Sequence, residues 1–558
     1  MSLTASTEYR QYRVPRSDGS SLVDPNRTAL LHELSFPSCH SNSSGLEFCG
    51  QALESARRQA RQEVVQRALQ YTRSYSDPTL PAIDPEQLPA LIMSGHQPEL
   101  FHPGVWFKNF LLSSLAGEGG AIGINFLVDN DLCRSTSIRV PALDPVQRND
   151  ADGPNAISQS VLYDAPRDAI PWELRRLGSR QVWRDFPRAV EQALLPGVEP
   201  PLLLEAWPDA IDAVAQTDRP GLALATMRHR LEQRLGLQTL EVPLSHLVST
   251  RGFARFSIQL LSELPRLQRV YNGQLEHYRQ AHRIRSHAHP VPALAEVDGW
   301  LEAPWWVYRH NAPHRQPLWV RLLDDQLILG DRAGWQATIE GRLDCDSASS
   351  QWLDLLADGV CLRPRALLTT MYLRIMVSDL FIHGIGGGKY DQLTDAIVRE
   401  FFAIEPTPMA VATATLHLPL GSQWPNANAE ALAQLQTQQE QQRDRLWHLK
   451  YHADQLVEHQ SSEQQQLTLR KQELLANIPP RGEKYAWHRE MTKINRRLSE
   501  LSLDEAEQTR QQIDKTTVLQ RQQRLLQSRE TSFCLYPLDM IEPRLKAMAR
   551  GEASDLPT

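Results

Sequence analysis

Histidine, lysine and acidic side chains occur in three short polar segments, each directly after an apolar run. The first segment, SGHQPELFHPG, spans 94–104 and is followed by an apolar stretch with the pattern of a helix. A histidine can accept a proton near neutral pH, and a lysine one turn into a helix can reach a phosphate at its N-terminus. The alternative is that the histidines bond to backbone in a tight turn while the lysine extends to solvent. The candidates are catalytic His96 and His102 and binding residues Gly95, Gln97, Gly104 and Lys108.

The second segment is Asp129-Asn130-Asp131, which ends the apolar run INFLV and is followed by Arg134. Carboxylates there could orient a substrate amine or ribose hydroxyls, or hold Mg²⁺ through oxygen ligands. Asp and Asn are also the usual residues of capped turns, which is the structural alternative. We predict catalytic roles for the two aspartates and binding roles for Asn130 and Arg134.

The third segment is HGIGGGKYD, residues 383–391, which follows the apolar run DLFI. Its glycines would let the backbone approach an anion closely, and its lysine would add a positive charge. It is not a Walker A loop, because Tyr390 stands where that motif has Ser or Thr. Glycines for a tight crossover, and an aspartate that only caps a helix, are the alternatives. The predicted binding residues are His383, Gly384, Gly386, Gly387, Gly388, Lys389 and Asp391.

The elements that must position these segments have the pattern of a parallel β-sheet. Continuous apolar runs alternate with helical patterns, as expected for parallel strands covered on both faces. Carboxyl ends of parallel strands lie at one edge of a sheet, where ligands bind. We therefore predict an α/β fold with a Rossmann-like core, in which the three segments face one cleft.

The remaining sequence divides around this core. Between 427 and 530, leucines at heptad spacing with glutamines on the same seam predict a coiled coil, and Pro479 and Pro480 would fold it into an antiparallel hairpin. Such a seam needs a partner helix, its own or another subunit's, and we predict a homodimer. Trp305, Trp306 and Tyr308 are predicted to pack in a core. The predicted units are an N-terminal arm (1–88), two core parts (89–142 and 241–426), a helical insertion (143–240), an antiparallel β insertion (near 297–330), the coiled coil (427–530) and a docking tail (531–558).

Composition limits the classes of partner. The 558 residues carry a formal net charge of −7, so no basic field directs the chain to nucleic acid or anionic membranes. No apolar run approaches the ~20 residues that a membrane-spanning helix needs. The six cysteines are scattered, which predicts neither a disulfide framework nor a zinc site and fits a reducing cytoplasm. A small-molecule substrate is the partner these features favour.

The sequence resembles the bacillithiol synthase family of cysteine-adding enzymes over roughly 90–540. The resemblance rests on SGHQPELFHPGVWFKNF, FLVDND and CLRPRALLTTMYLRIMVSDLFIHGIGGG, in this order, and on the long helical hairpin after them. It implies a core like that of nucleotidyltransferases and class I aminoacyl-tRNA synthetases, a dimer through the coiled coil, and a reaction that joins cysteine to glucosaminyl malate. FHPGV, residues 101–105, resembles the H-x-G-H signature that holds nucleotide phosphates, with Val105 in its final position.

The resemblance and the three segments together predict a cytoplasmic enzyme that forms a C–N bond to a small substrate, with ATP or ADP bound nearby. A different amide- or amine-forming ligase is an open alternative for the substrate. The rival from another class is a non-catalytic nucleotide-binding scaffold or sensor whose coiled coil is the working part.

Overall fold

The computed structural model of the protein describes residues 9–35, 46–78, 87–145, 155–286, 288, 291–420, 424, 429–455 and 461–552. The strands in this part of the chain, numbered in order, are β1 (Ser20–Asp24), β2 (Glu47–Phe48), β3 (Gln51–Ala52), β4 (Leu91–His96), β5 (Ile122–Leu127), β6 (Ser137–Leu143), β7 (Ala156–Leu162), β8 (Leu240–Pro243), β9 (Glu296–Val297), β10 (Trp300–Arg309), β11 (Ala312–Leu323), β12 (Gln326–Gly330), β13 (Gln336–Glu340), β14 (Val360–Pro364), β15 (Leu380–His383) and β16 (Met409–Thr415). The α-helices are α1 (Arg27–Ser35), α2 (Leu53–Arg73), α3 (Pro103–Glu118), α4 (Arg180–Ala193), α5 (Leu203–Thr217), α6 (Pro220–Arg234), α7 (Leu244–Leu247), α8 (Arg251–Ser262), α9 (Leu264–Ala281), α10 (Cys345–Ala357), α11 (Ala366–Tyr372), α12 (Ile385–Phe402), α13 (Ala429–Tyr451), α14 (Ser462–Ala476), α15 (Tyr485–Leu501), α16 (Leu503–Leu526) and α17 (Leu538–Arg550).

The central sheet has the strand order β1-β16-β15-β4-β5-β8. All neighbours pair in parallel except β1, which runs antiparallel to β16 at one edge. The chain leaves β4 through α3 toward β5, and leaves β15 through α12 in the opposite direction toward β16. The neighbouring strands β15 and β4 therefore form a topological switch point, where α/β proteins open a crevice for ligands. The predicted α/β class with a mostly parallel sheet is confirmed.

Two hydrophobic cores cover the two faces of this sheet. Leu91 and Met93 of β4 point into one core with α2 and α12, whereas Ile92 between them points into the other with α3 and α17. Successive strand residues alternate between faces, so a strand covered on both sides is apolar throughout. This double coverage explains the continuous apolar runs of the sequence.

A second, antiparallel sheet has the order β13-β12-β11-β10-β14, and the short strand β9 pairs with the first residues of β10. It was predicted near 297–330, and the structure extends it to Pro364. Trp305 is fully buried, as predicted for a core residue, whereas the neighbouring Trp306 points to the other face and is only partly buried. Strand β14 ends directly before Arg365, which is thereby placed beside the crevice.

The chain termini and the 143–240 region contribute to these layers. β1 belongs to the central sheet and α2 packs against it, so the N-terminal segment that we predicted as an arm supplies an edge strand and a covering helix. The region predicted as a helical insertion contains α4, α5 and α6 but also strand β7, which forms a hairpin with β6. Near the C-terminus, Tyr536 is buried and donates a hydrogen bond to the Leu416 carbonyl.

The described residues between 429 and 530 contain four α-helices, α13 to α16, where two were predicted. The glutamine seam finds a partner inside the chain: Gln439 of α13 donates to Thr517 of α16 at 2.7 Å, and Thr516 donates to Gln442 at 3.0 Å. The apolar contacts of this region include a small cluster of Ala453, Ile494 and Leu498. Association of two chains through this region stays a prediction.

Cys49 and Cys345 form a disulfide whose Cα atoms lie 5.5 Å apart. The sequence did not predict this bond, because the two cysteines are 296 positions apart and only the folded chain brings the β2–β3 hairpin to the start of α10. No helix of the described residues is long and apolar enough to cross a membrane.

Candidate functional site

A cavity of about 520 Å³ lies at the carboxyl ends of β4, β5 and β15. All three predicted segments contribute to its wall, as expected from the common edge of parallel strands. The predicted site residues that line it are Gly95, His96, Gln97, Lys108, Asn130, Asp131, His383, Gly384, Gly387 and Asp391. The predicted residues outside its lining are His102, Gly104, Asp129, Arg134, Gly386, Gly388 and Lys389.

Lys108 is a buried cation in the cavity wall. Its Nζ donates to the Gly95 carbonyl at 2.7 Å, and no carboxylate of the described residues forms an ion pair with it. Burial, and secondly the charge of Arg228, lowers the pKa of Lys108 from 10.5 to about 7. The cavity therefore offers an amine that is charged below about pH 7 and that has no counter-charge among the described residues.

Arg365 is a second cation with unused donors. Its Nη2 donates to Glu302 at 2.6 Å, but its Nε and Nη1 are buried and have no hydrogen-bond partner in the described part of the chain. The guanidinium lies over the Trp306 ring at 4.3 Å from the centroid. Buried N–H groups are rarely left unpaired, and Arg365 is a residue of the cavity wall.

Arg315 completes this cationic wall. It also lies over the Trp306 ring, at 4.9 Å, and its Nη1 donates to the Asn130 carbonyl at 3.1 Å and approaches Asp131 at 3.3 Å. The antiparallel sheet thus contributes to the cavity through β10 and β11, whose side chains hold the loop after β5.

Three residues of this wall, Trp306, Arg315 and Arg365, were not predicted as part of a site. We predicted Trp306 as core packing and assigned no role to Arg315 or Arg365. For Arg365 a signal was present, because CLRPRALL also places a charged residue between an apolar strand and a helix, as in the three segments that we did identify. For Trp306 and Arg315 no local pattern marks the site, since a separate sheet brings them there.

His96 uses both ring nitrogens within the protein. Nδ1 lies 3.0 Å from the Gln97 carbonyl, and Asn125 approaches Nε2 at 3.3 Å. Burial, then the charges of Arg228 and Lys108, hold the pKa of His96 well below its usual value, so the ring is neutral. A ring with no free nitrogen does not suit the proton acceptor role that we predicted for it.

His102 and the neighbouring Gly104 have structural roles. His102 is the N-cap of α3, where its Nδ1 accepts from the Gly104 backbone at 3.1 Å, and burial lowers its pKa to about 4. A side chain on Gly104 would overlap the Ala414 carbonyl, so glycine allows α3 to pack closely on β16. This part of the first segment therefore matches the alternative in which a histidine bonds to backbone in a tight turn.

The aspartates of the second segment have different surroundings. Asp129 accepts from the backbone and hydroxyl of Ser245 at 2.9 and 2.5 Å, and burial, with Glu173 nearby, raises its pKa to about 7. Asp131 lines the cavity and accepts from Gln97 at 3.2 Å. Asp129 thus fits the capped-turn alternative, and Arg134 is exposed outside the cavity.

The glycine segment is the start of a helix rather than a loop. α12 begins at Ile385 with Gly384 as its N-cap, and a glycine has no side chain to cap the free N–H groups. Gly387 and Gly384 line the cavity, whereas Lys389 is exposed outside its lining. The lysine that we predicted to bind phosphate is therefore not a wall residue, and the anion-binding feature of this segment is the helix N-terminus.

Replacing Gly388 or Gly386 by alanine is expected to change the stability of the protein in opposite directions. A Cβ on Gly388 would overlap Val411 of β16, whereas a Cβ on Gly386 meets open space. We expect Gly388→Ala to destabilise the protein by about 1–3 kcal/mol because of overpacking. Gly386→Ala should be neutral or stabilise it by up to about 1 kcal/mol, because alanine favours helix. Urea unfolding of both variants measures this, and equal effects would contradict the packing role.

The fold and the cavity define a class of protein: an α/β protein with a cationic cavity at the switch point of a mostly parallel sheet. Comparison of the chain with family models and with curated proteins finds no match. The function is therefore inferred from the chemistry of the cavity and from the sequence motifs.

Proposed function

We propose that the protein is a bacillithiol synthase-like enzyme that joins cysteine, or another amino acid, to a small acceptor through a C–N bond. The cavity would hold an anionic substrate, and the sheet would be a Rossmann-like core. The reaction class is supported by the resemblance of the three strand-end segments. The observation that carries the anionic substrate is the cationic wall of the cavity: Lys108 has no carboxylate partner among the described residues, and Arg365 lines the same wall with two nitrogens that lack a hydrogen-bond partner there.

The electrostatics of the wall support an anion for a physical reason. An uncompensated buried charge is costly, and proteins keep such groups where a ligand supplies the opposite charge. The uncapped N-terminus of α12 adds a partial positive charge at the same cavity. A volume of about 520 Å³ is within the range of metabolite sites, ~300–1,000 Å³.

ATP or ADP is one candidate for this anion, and a substrate carboxylate is the other. Phosphates would be bound by Lys108, Arg365 and the start of α12, since the glycine segment forms no phosphate loop. The guanidinium groups of Arg315 and Arg365 already lie over the Trp306 ring. The cavity wall therefore suits charged contacts with phosphate better than stacking of the base on this ring.

Calorimetric titration tests the proposal with defined probes: inorganic phosphate, citrate, ATP and ADP, with glycerol and glucose as neutral controls. We expect at least one anion to bind and the neutral molecules not to bind. Binding should also raise the free energy of unfolding by about 2.7 kcal/mol at a hundredfold excess over Kd.

Mass spectrometry then tests the reaction. Protein incubated with ATP, cysteine and an amino-sugar acceptor should yield a product whose mass is the sum of the two substrates minus one water. If no anion binds, the proposed site is wrong. If nucleotide binds but no acceptor yields product, the non-catalytic nucleotide-binding alternative is favoured instead.

A further inference from the structure

His383 has one ring nitrogen fixed by the protein and one left free. It is the last residue of β15, is buried, and lines the cavity. Its Nε2 lies 2.8 Å from Asp391 Oδ2, one turn and a half into the following helix. Nδ1 has no hydrogen-bond partner among the described residues.

The carboxylate that holds His383 is itself fixed and charged. Asp391 accepts from Arg374 at 2.6 Å and from the Thr370 hydroxyl at 2.5 Å. Burial alone would raise the pKa of Asp391, but Arg374 and then His383 bring it below its usual value. A charged carboxylate accepts only, so Nε2 carries the proton in this pair, and in the neutral ring Nδ1 is the nitrogen with the lone pair.

The free nitrogen lies beside a glycine of the cavity wall. A Cβ on Gly387 would be 2.8 Å from His383 Nδ1, which is closer than a side chain can approach without displacement. Glycine therefore leaves the approach to Nδ1 open. Of the two histidines that line the cavity, His96 has both nitrogens engaged, so His383 is the one with an available lone pair.

We propose that His383 is the proton acceptor for the amine substrate, with Asp391 as its positioning residue. This inference rests on the proposed function, because it requires an amine that attacks an acyl carbon. That amine belongs to the acceptor, and in its ammonium form its nitrogen has no lone pair to donate. In the step, one ammonium N–H bond breaks and an Nδ1–H bond forms, which leaves a free amine and an imidazolium next to the Asp391 carboxylate.

Chemical modification of the full-length protein tests the lone pair without a known substrate. Diethyl pyrocarbonate acylates unprotonated imidazole nitrogens, and peptide mass spectrometry locates the modified histidines. We expect His383 to be modified in the ligand-free protein and His96 to stay unmodified. Gly387→Ala should slow the modification of His383 at least tenfold, whereas the matched Gly386→Ala, which adds a methyl group in open space in the same turn, should not.

A second measurement reads the tautomer. In protein labelled with ¹⁵N-histidine, the His383 signal, assigned by its loss in His383→Gln, should show an unprotonated Nδ1 and a protonated Nε2. Asp391→Asn should lower the share of this tautomer, an effect that a purely structural role of Asp391 does not predict. A protonated Nδ1, or equal modification rates in the two glycine variants, would overturn the inference.

These results are separate from the anion titration. An anion that binds while His383 is unreactive overturns only the acceptor role. A reactive His383 in a protein that binds no anion leaves the acceptor geometry in place and overturns the proposed function.

Discussion

Replacing Lys108 by methionine is expected to stabilise the ligand-free protein and at the same time to weaken anion binding. The lowered pKa of Lys108 corresponds to about 4–5 kcal/mol of unfavourable charge burial. Loss of its hydrogen bond to Gly95 offsets about 1 kcal/mol, so we expect a net gain of about 3 kcal/mol at pH 6. Loss of a charged hydrogen bond to the anion should weaken anion binding about ten- to hundredfold.

The stability difference should depend on pH in a defined direction. Between pH 7 and about 10.5 the unfolded chain holds a proton on this lysine that the folded protein has lost, so the contribution of this group to wild-type stability becomes more favourable as the pH rises. Below pH 7 both states are protonated and the full penalty is present. The advantage of Lys108→Met should therefore be largest below pH 7 and decline toward pH 10.

Lys389→Met is the matched control, because this exposed lysine lies outside the cavity lining. It should change neither stability nor anion affinity. Urea unfolding at several pH values and calorimetry measure both quantities. If Lys108→Met destabilised the protein at pH 6, or Lys389→Met weakened binding equally, the assignment of the unbalanced charge to Lys108 would fail.

Replacing Arg365 should have the second large effect on stability and on anion binding. Its ion-pair partner Glu302 allows the effect of charge to be separated from the effect of packing. Arg365→Met alone leaves Glu302 buried without its ion pair and should destabilise the protein by about 3–5 kcal/mol. The double variant Arg365→Met/Glu302→Gln removes both charges and should be much closer to wild type in stability. It should still bind the anion about ten- to hundredfold more weakly, because the buried donors are gone.

Two further variants sharpen this result. Glu302→Gln alone removes the carboxylate that competes for Arg365, so anion affinity should increase. Arg321→Met is the matched control: Arg321 also lies over a tryptophan ring, that of Trp300 at 4.9 Å, but it is not part of the cavity wall. Calorimetry with the anion that binds wild type measures all four variants. Unchanged affinity in the double variant would show that Arg365 does not contact the ligand.

The fold class could be predicted from the sequence because its signal is local. Apolar runs such as LIM before His96 and LFI before His383 are strands buried on both faces, and helical patterns separate them. Once the strands are parallel, their carboxyl ends share one edge. The meeting of the three polar segments at one cavity followed from that geometry.

The roles of individual residues within those segments could not be predicted in this way. His96 and His383 are each the last residue of a strand, yet Asn125 contacts Nε2 of His96 whereas Gly387 leaves Nδ1 of His383 open. Lys108 and Lys389 both lie in the first turns of a helix, and only the first faces the cavity. Side-chain direction and neighbours decide these differences, and sequence spacing contains neither.

The sequence by itself determined the α/β class, the order of the strands and helices that carry the site, and the three segments that supply most of its polar wall, because periodicity and strand ends are local properties. Only the tertiary structure decided which ring nitrogen stays free and which buried ammonium group lacks a counter-charge among the described residues. It also decided that Trp306, Arg315 and Arg365 of a separate region complete the wall. It also joined Cys49 to Cys345 across 296 positions. Hydrogen bonding and burial depend on contacts between distant parts of the chain, which exist only after folding.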